Sequence, residues 1–370
     1  MIAADTPRIV VACALESDAQ SAQAQTNRAL ARWLADIQGL EFSPDPSDAH
    51  ASGQPIYWVP DATVVGREQA AALRVHGPLD LFGGYVEREF HAGKAIVHPL
   101  PERPTLTPRG WNQAFALRVQ PLVLNGQSVF CHNDALRFAS TRLQRGAQRL
   151  KPAGSRGGMG QQVVNDADGL AEALDRYEEA DYQLGLVIED ELQNAQTHSV
   201  GQVMINGVLL SYHGIQQQNR NRRGELVYGG SDLLVVRGDF DGLLSLDLVA
   251  SVRQAIEQAR LFDRAAHQLF PQFYASRRNY DLVQGIDAQG QACSGVLEQS
   301  WRVGGASGAE LAALEAFVAD PTLHVVRAST FEIFEDKALP DNAHLLYRGP
   351  DAHGDLQLKY AMVEPYELQR

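Results

Sequence analysis

The sequence predicts an α/β protein of more than one domain, and three patterns carry that prediction. Residues 8–15 contain an unbroken apolar run, typical of a strand buried on both faces of a parallel sheet. Short apolar runs then alternate with segments of helical periodicity along the chain. Asn206-Gly207, between two apolar strands, is the strongest short signal for a tight hairpin. A chain of 370 residues, 45% hydrophobic, has room for two or three domains.

The composition argues against some classes of binding partner. The formal net charge is −13 and there is no long basic run, so nucleic acid is not expected as a partner. The longest apolar run, Ile9–Leu15, is too short to span a bilayer, and acidic residues follow it, which argues against a signal peptide. We therefore expect a soluble, cytoplasmic protein with no membrane partner. The oligomeric state stays open, and a homodimer is compatible with the sequence.

The three cysteines, Cys13, Cys131 and Cys293, are far apart, and each lies in or beside an apolar stretch. This arrangement favours buried free thiols over a disulfide framework or a metal site. No histidine pair has zinc spacing, and no nucleophile elbow, Walker lysine or dinucleotide fingerprint is present.

Residues 1–128 are predicted to form a first α/β domain. After the strand at 8–15, a helix is indicated by apolar residues at helical spacing around Leu30 and Leu34, with Thr26 and Asn27 as candidate N-caps. Short apolar runs at 56–59, 79–82 and 95–97 follow. Residues 99–104 contain three prolines and are predicted to be a stiff, extended connector.

Two further units are predicted, over 129–192 and 193–370. In the first, strands at 147–151, 162–164 and 184–189 accompany a helix at 170–177, as a small β-loop-β-α-β unit. In the second, the Asn-Gly hairpin joins strands at 199–205 and 208–213. A long helix near residues 248–259, strands at 280–286 and 292–301 and a helix at 311–317 complete it.

A glycine-rich loop at 154–160 is the first candidate site. Five of its seven residues are Gly or Ser, so successive backbone N–H groups can surround an anion, and Lys151 precedes it in a chain with only four lysines. A polyphosphate suits this arrangement. A mobile surface loop is the alternative interpretation. The basic segment 216–223, ahead of a turn at 228–232, is a second anion candidate, and a solvated loop is the more frequent structure of such a segment.

A carboxylate hairpin is the second candidate site. If residues 286 and 291 close the hairpin, Asp281 lies opposite Val296, and Glu298 lies one diagonal step away on the same face. Glu298, Ser300 and Arg302 alternate along one strand and therefore share that face. Two carboxylates and a hydroxyl are suitable ligands for Mg²⁺, and arginine is matched to phosphate or carboxylate. A solvent-facing hairpin with scattered charges is the alternative.

Together the two motifs resemble those of the ATP-grasp superfamily, which includes glutathione synthetase and biotin carboxylase, over residues 130–318. The run 298–311 and the segment 228–232 are similar to an uncharacterised bacterial family of ATP-grasp-like proteins. The resemblance implies two α+β lobes after an N-terminal α/β domain, with ATP and Mg²⁺ as cofactors. It implies catalytic roles for Arg302 and Lys151, and metal ligation by Asp281, Glu298 and Ser300. The implied nucleotide-binding residues are Lys151, Gly154, Ser155, Arg156, Gly157, Gly158, Met159, Gly160, Glu189, Asp190 and Leu192.

Three positions depart from the family pattern. Ser300 stands where asparagine is usual, and Thr197 stands where a ribose-contacting glutamate is expected. The first phosphate-binding lysine has no counterpart between Cys131 and Arg149, and Arg137 or Arg142 is the candidate substitute.

The resemblance implies a ligase that joins a small-molecule carboxylate to an amine through an acyl phosphate. Two alternatives remain open at this point. One is a nucleotide-binding sensor or scaffold without ligase activity, which the missing lysine and Ser300 favour. The other is a kinase that uses the same site on a small hydroxyl substrate. The sequence does not identify the acceptor.

Overall fold

Helices and strands contribute almost equally to the structure, a computed structural model that describes residues 8–18, 20–155 and 159–366. The composition is 32% helix and 34% strand, so the predicted mixed α/β class is confirmed. In the described residues, the strands form one large sheet and three small ones.

The helices are α1 (Ala22–Gln38), α2 (Pro46–Ala51), α3 (Gly66–Ala72), α4 (Glu89–Ala92), α5 (Gln113–Val119), α6 (His132–Leu143), α7 (Ala167–Leu174), α8 (Glu179–Leu184), α9 (Phe240–Leu244), α10 (Ala250–Leu269) and α11 (Ser307–Ala319), with 3-10 helices at Lys94–Val97 and Gln120–Leu122. The strands are β1 (Ile9–Cys13), β2 (Glu41–Ser43), β3 (Ile56–Pro60), β4 (Val64–Val65), β5 (Gly84–Val86), β6 (Gly126–Val129), β7 (Gln148–Pro152), β8 (Gln162–Val164), β9 (Leu186–Asp190), β10 (Gln193–Ile205), β11 (Val208–Arg220), β12 (Leu226–Arg237), β13 (Tyr274–Ala275), β14 (Arg277–Ile286), β15 (Ala292–Ser300), β16 (Val325–Ile333), β17 (His344–Pro350) and β18 (Leu356–Pro365).

The first sheet is parallel, with β1 between β2 and β3, as its continuous apolar sequence predicts. Helix α1 begins one turn earlier than its apolar periodicity indicates, because the Ser21 side chain accepts a hydrogen bond from Ala24 N at 3.1 Å. The predicted N-caps Thr26 and Asn27 are therefore wrong, since both are buried inside the helix.

The second sheet has the order β6-β9-β7-β8 and carries the glycine-rich loop between β7 and β8. Its predicted strands are confirmed within two residues at each end, whereas the predicted helix ends at Leu174. Strand β6 and helix α6, which begin this unit, were not predicted because their apolar periodicity is weak. We call this sheet and its helices the small lobe.

The large sheet has the order β15-β14-β10-β11-β12-β16-β18-β17. The Asn206-Gly207 hairpin is confirmed: both residues have positive φ (49° and 78°), and Ile205 pairs with Val208. The long helix, the hairpin strands and the last helix are also present. The interpretations of 228–232 as a turn and of all of 216–223 as a loop are wrong, because β11 and β12 extend through most of both segments.

The two faces of the large sheet pack against different helices. Tyr280 contacts Phe262 of α10 on one face, and Tyr212 belongs to the core cluster that includes α1 and α11 on the other. Since side chains alternate along a strand, Asp281 lies on the α11 face. Strands β16 to β18, which extend this sheet, were not predicted.

Membrane-spanning helices, cysteine pairing and domain boundaries are three further features on which the sequence made predictions. No described helix has the length and apolarity that crossing a membrane requires. The three cysteines are free thiols, as predicted, although each is half-buried. The domain boundaries at 128/129 and 192/193 stay predictions.

Candidate active site

The carboxylate hairpin has a different register from the predicted one. It closes with Ile286 opposite Ala292, one residue later than predicted, and a β-bulge then places Asp281 directly opposite Glu298 instead of Val296. Directly opposed side chains are closer than diagonal ones, with Cβ atoms about 4.5–5.5 Å apart. The structure confirms that Asp281 and Glu298 share one face and corrects the register in which the two strands pair.

Asp281 is held by three hydrogen-bond donors. Ser199 Oγ, Asn279 Nδ2 and Gln216 Nε2 lie 2.8, 2.9 and 3.1 Å from the same carboxylate oxygen, Oδ1. Burial and the negative charge of Glu298 raise the pKa of Asp281, and the three donors oppose that rise. Two adjacent carboxylates suit a divalent cation, which would relieve their repulsion.

Lys94 supplies a cation to this pair. Its Nζ lies 3.1 Å from Glu298 Oε2, 2.6 Å from Ser155 O and 3.4 Å from Pro152 O, so it joins the large-sheet hairpin to the glycine-rich loop. The side chain is 3% exposed. Gly93 permits the close approach, because a Cβ there would lie 2.7 Å from Ala153 O.

Sequence reasoning missed Lys94 as a site residue. Its rarity was the available signal, since it is one of four lysines in the chain and stands at the edge of an apolar run. The two substitutes that the sequence suggested lie elsewhere. Arg137 is 53% exposed and pairs with Asp134, and Arg142 pairs with Asp190.

Lys151 is held within the small lobe. Its Nζ lies 2.7 Å from Glu189 Oε1, and His98 Nε2 lies 3.0 Å from Glu189 Oε2, with all three side chains at most 3% exposed. Burial alone would raise the pKa of Glu189, but the charge of Lys151 and the hydrogen bond with His98 lower it to about 2. Two predicted nucleotide-binding residues, Lys151 and Glu189, are thus direct partners, and His98 is a third member that the sequence did not indicate.

The glycine-rich loop is described at its two ends. Arg156, Gly157 and Gly158 lie outside the described residues. Gly154 packs so tightly that a Cβ would lie 2.6 Å from Leu184 Cδ1, and Gly160 has a φ of 69°. Met159 is 67% exposed, and Ser155 Oγ donates a hydrogen bond to Pro152 O at 2.8 Å. The loop therefore starts next to Lys94 and ends at the surface.

The predicted nucleotide-binding residues Glu189, Asp190 and Leu192 lie at the end of β9 and just beyond it, and we call the segment 190–192 the hinge because it leads from the small lobe into the large sheet. Asp190 N donates to Asn125 O at 3.0 Å, and Glu191 N donates to Ala147 O at 3.1 Å, which ties the hinge to the small lobe. Leu192 then joins a small apolar cluster with Leu124 and Val283. Because Val283 belongs to β14, this cluster connects the hinge to the large sheet next to the carboxylate pair.

Ser300 and Arg302 lie where β15 ends. Ser300 is directly opposite Asn279, and Arg302 Nη1 donates to Val303 O at 2.6 Å. The backbone just before β5 lies close to this segment: a Cβ on Gly83 would lie 3.2 Å from Trp301 O. In the described residues, no group of three or more His, Cys, Asp or Glu side chains could hold a metal. A cation here would therefore need further oxygen ligands besides the two carboxylates.

The fold and the site together define an α/β protein with two lysines, two carboxylates and a glycine-rich loop gathered between a small lobe and a large sheet. The chain belongs to a family described as a protein of unknown function (DUF3182), whose model matches residues 10–361. No curated protein matches it.

Solved structures with a distant similarity in overall fold include two synthetases. D-alanyl-alanine synthetase A from Vibrio cholerae O1 biovar eltor str. N16961 is 10% identical, with 80% of this chain and 88% of that chain covered at a TM-score of 0.43. D-cycloserine synthetase DcsG is 11% identical, with 80% and 92% covered at a TM-score of 0.44.

Proposed function

We propose that this protein binds ATP with Mg²⁺ between the small lobe and the large sheet and acts as an ATP-grasp ligase. One observation carries the proposal: Lys94 Nζ contacts both the glycine-rich loop at Ser155 O and the carboxylate pair at Glu298. A cation placed between an anion-binding loop and a metal-binding pair stands where the phosphates of a nucleotide would connect the two.

Each residue has a role in this scheme. Lys94 and the backbone amides of the loop would bind phosphate oxygens, and the apolar cluster at Leu192 would contact the adenine ring. Lys151 would fix the strand that leads into the loop through its buried ion pair with Glu189. Asp281 and Glu298 fit Mg²⁺ because both are hard oxygen ligands that share one face, and Ser300 would add a hydroxyl. When bound, the ion would supply charge neutralisation between the phosphates.

The chemistry proposed is the formation of an amide or related bond. An oxygen of the substrate carboxylate attacks the γ-phosphorus, and the bond to ADP breaks. The amine then attacks the acyl carbon, inorganic phosphate leaves, and the nitrogen loses a proton. The chain's own contribution is to position both substrates and to stabilise charge, with Arg302 next to the group transferred.

A sensor without ligase activity is the second candidate. Ser300 favours it, because its side chain is shorter than the asparagine that the family pattern has at this position. A small-molecule kinase would use the same residues with a hydroxyl in place of the carboxylate.

The test has two stages. Thermal unfolding with MgATP, compared with MgGTP, measures binding; at about 100 times the dissociation constant, linkage stabilises by on the order of 2.7 kcal/mol. A screen of carboxylic acids and amines for ADP release then separates the candidates. A ligase releases ADP only with an added carboxylic acid, whereas a sensor binds without release. The absence of any shift with millimolar MgATP would exclude nucleotide binding.

A further inference from the structure

Two adjacent arginines on β14 form buried ion pairs on opposite faces of the large sheet. Arg277 pairs with Glu310 of α11, with Nη2 and Oε1 2.7 Å apart, and both side chains are at most 1% exposed. Arg278 pairs with Asp263 of α10 at 2.7 Å, and these side chains are 9% and 13% exposed. Each carboxylate also accepts a hydrogen bond from a tyrosine, Tyr212 on Glu310 and Tyr280 on Asp263.

Among the described residues, only the first of these networks reaches the carboxylate pair. Tyr212 Oη lies 2.6 Å from Glu310 Oε1 and 2.8 Å from Asn279 Oδ1, and can donate its proton to either. Asn279 Nδ2 donates to Asp281 Oδ1 at 2.9 Å. Contacts therefore run without a gap from the ion pair through Tyr212 and Asn279 to Asp281.

The same ion pair also holds the opposite strand. Arg277 Nη1 donates to Ser300 O at 3.1 Å and to Arg302 O at 2.5 Å, just beyond Glu298 in β15. Both sides of the carboxylate pair are thus anchored on Arg277 and Glu310. A buried ion pair contributes little net stability, because desolvation offsets its attraction, so a role other than stability is expected of it.

The orientation of Asp281 suggests that role. Within the part of the chain that the structure describes, every hydrogen bond to this carboxylate reaches Oδ1, from Ser199, Asn279 and Gln216. Three donors saturate that oxygen and fix the rotation of the group. Oδ2 is then the oxygen that can bind a cation.

We infer that Tyr212, Asn279 and the Arg277–Glu310 pair are positioning residues that fix Asp281 for Mg²⁺ through Oδ2. We call these four residues the positioning network. The inference rests on the proposed function, because it assigns the network's purpose to the metal in that site. Substituting a residue that hydrogen-bonds a metal ligand commonly lowers metal affinity by about 10- to 100-fold.

The second network provides a matched control. Tyr212→Phe removes the hydroxyl that links Glu310 to Asn279 and leaves the ion pair of Arg277 intact. Tyr280→Phe removes an equivalent hydroxyl from the opposite face, where it contacts Asp263 and Trp301. The measurement is ATP affinity by calorimetry with and without Mg²⁺, alongside thermal unfolding of each variant.

For Tyr212→Phe, we expect metal-free ATP affinity to be unchanged and the Mg²⁺-dependent gain to fall by about tenfold or more. For Tyr280→Phe, the gain should stay at the wild-type value even where its melting temperature falls. Equal gains in the two variants would overturn the inference and leave nucleotide binding intact. A wild-type protein without any Mg²⁺-dependent gain would overturn the inference together with the metal site of the proposed function.

A double-mutant cycle tests whether the contacts act in series. Asn279→Ala removes the donor to Asp281. If the contacts act in series, this variant should lower the Mg²⁺-dependent gain in ATP affinity as Tyr212→Phe does. The double variant should then lose little more than the worse single variant, whereas independent contacts would give additive losses. Additive losses would remove Tyr212 from the network.

Discussion

Two lysine–glutamate pairs of similar length occupy very different surroundings in this site. Lys151–Glu189 lies wholly inside the small lobe, with both side chains at most 3% exposed and His98 as a third partner. Lys94–Glu298 joins the 3-10 helix at Lys94–Val97 to the large sheet, and the Glu298 side chain is 27% exposed next to Asp281. The first pair is sealed within one unit, whereas water reaches the second.

The difference indicates that the first pair is structural, whereas the lysine of the second pair can exchange its partner for a ligand. A sealed pair cannot lose one member without leaving a buried ion uncompensated, which is costly. Lys94 can exchange Glu298 for a phosphate at smaller cost, because Glu298 retains access to water and would gain a cation. We therefore expect substitutions at the Glu189 pair to affect folding and those at the Glu298 pair to affect ligand binding.

The largest expected effect is on stability. Glu189→Gln leaves the Lys151 ammonium buried without its counter-charge, and we expect it to lower the free energy of unfolding at pH 7 by about 3–5 kcal/mol. The matched variant Glu298→Gln should lower it by less, since Glu298 is partly hydrated and the Lys94 ammonium keeps two carbonyl partners, Ser155 O and Pro152 O. Urea denaturation of both variants measures the difference. Similar losses would show that the two pairs are energetically equivalent.

The same variant has a distinct pH dependence. Because the folded-state pKa of Glu189 is lowered to about 2 from 4.5, its stabilising contribution is complete above pH 4.5 and is lost as the pH falls toward 2. The stability gap between wild type and Glu189→Gln should therefore narrow below pH 4.5. A gap that stays constant from pH 5 to pH 3 would mean that this pair does not set it. Asp281, whose pKa is raised, has the opposite sign: its folded state loses stability as the pH rises.

The sequence could predict this contrast only in part. Glu189, Lys151, Asp281 and Glu298 lie in strands whose local patterns are visible, and the shared face of Asp281 and Glu298 followed from alternation. The register of the hairpin did not, because a one-residue bulge leaves no mark in apolar periodicity. Lys94 was missed because its partners are distant in sequence, and only the packing of a 3-10 helix against the loop brings them together.

A second prediction concerns ligand binding. Lys94→Met keeps an unbranched apolar stem and removes the charge, so we expect ATP affinity to fall by about tenfold or more, as for a lost charged contact of about 1.4 kcal/mol or more. Lys94→Met should lower the free energy of unfolding much less than Lys151→Met, which leaves the buried Glu189 carboxylate without its counter-charge. Lys337→Met, at an exposed position, is the matched control. Calorimetry that finds equal ATP affinity for Lys94→Met and Lys337→Met would exclude Lys94 from the nucleotide site.

The smallest expected effect concerns Ser300, which lies two residues beyond Glu298 in β15. Ser300→Asn places a longer oxygen ligand directly opposite Asn279, so the Mg²⁺-dependent gain in ATP affinity should stay equal or rise by a few-fold. In a ligase, carboxylate-dependent ADP release should be preserved or raised, whereas in a sensor weak ATP hydrolysis should emerge. Ser294→Asn, on the opposite face of the same strand, controls for added bulk. A loss of the Mg²⁺-dependent gain in Ser300→Asn but not in Ser294→Asn would show that this position needs its small side chain, and that serine is selected here for packing and not as a shortened ligand.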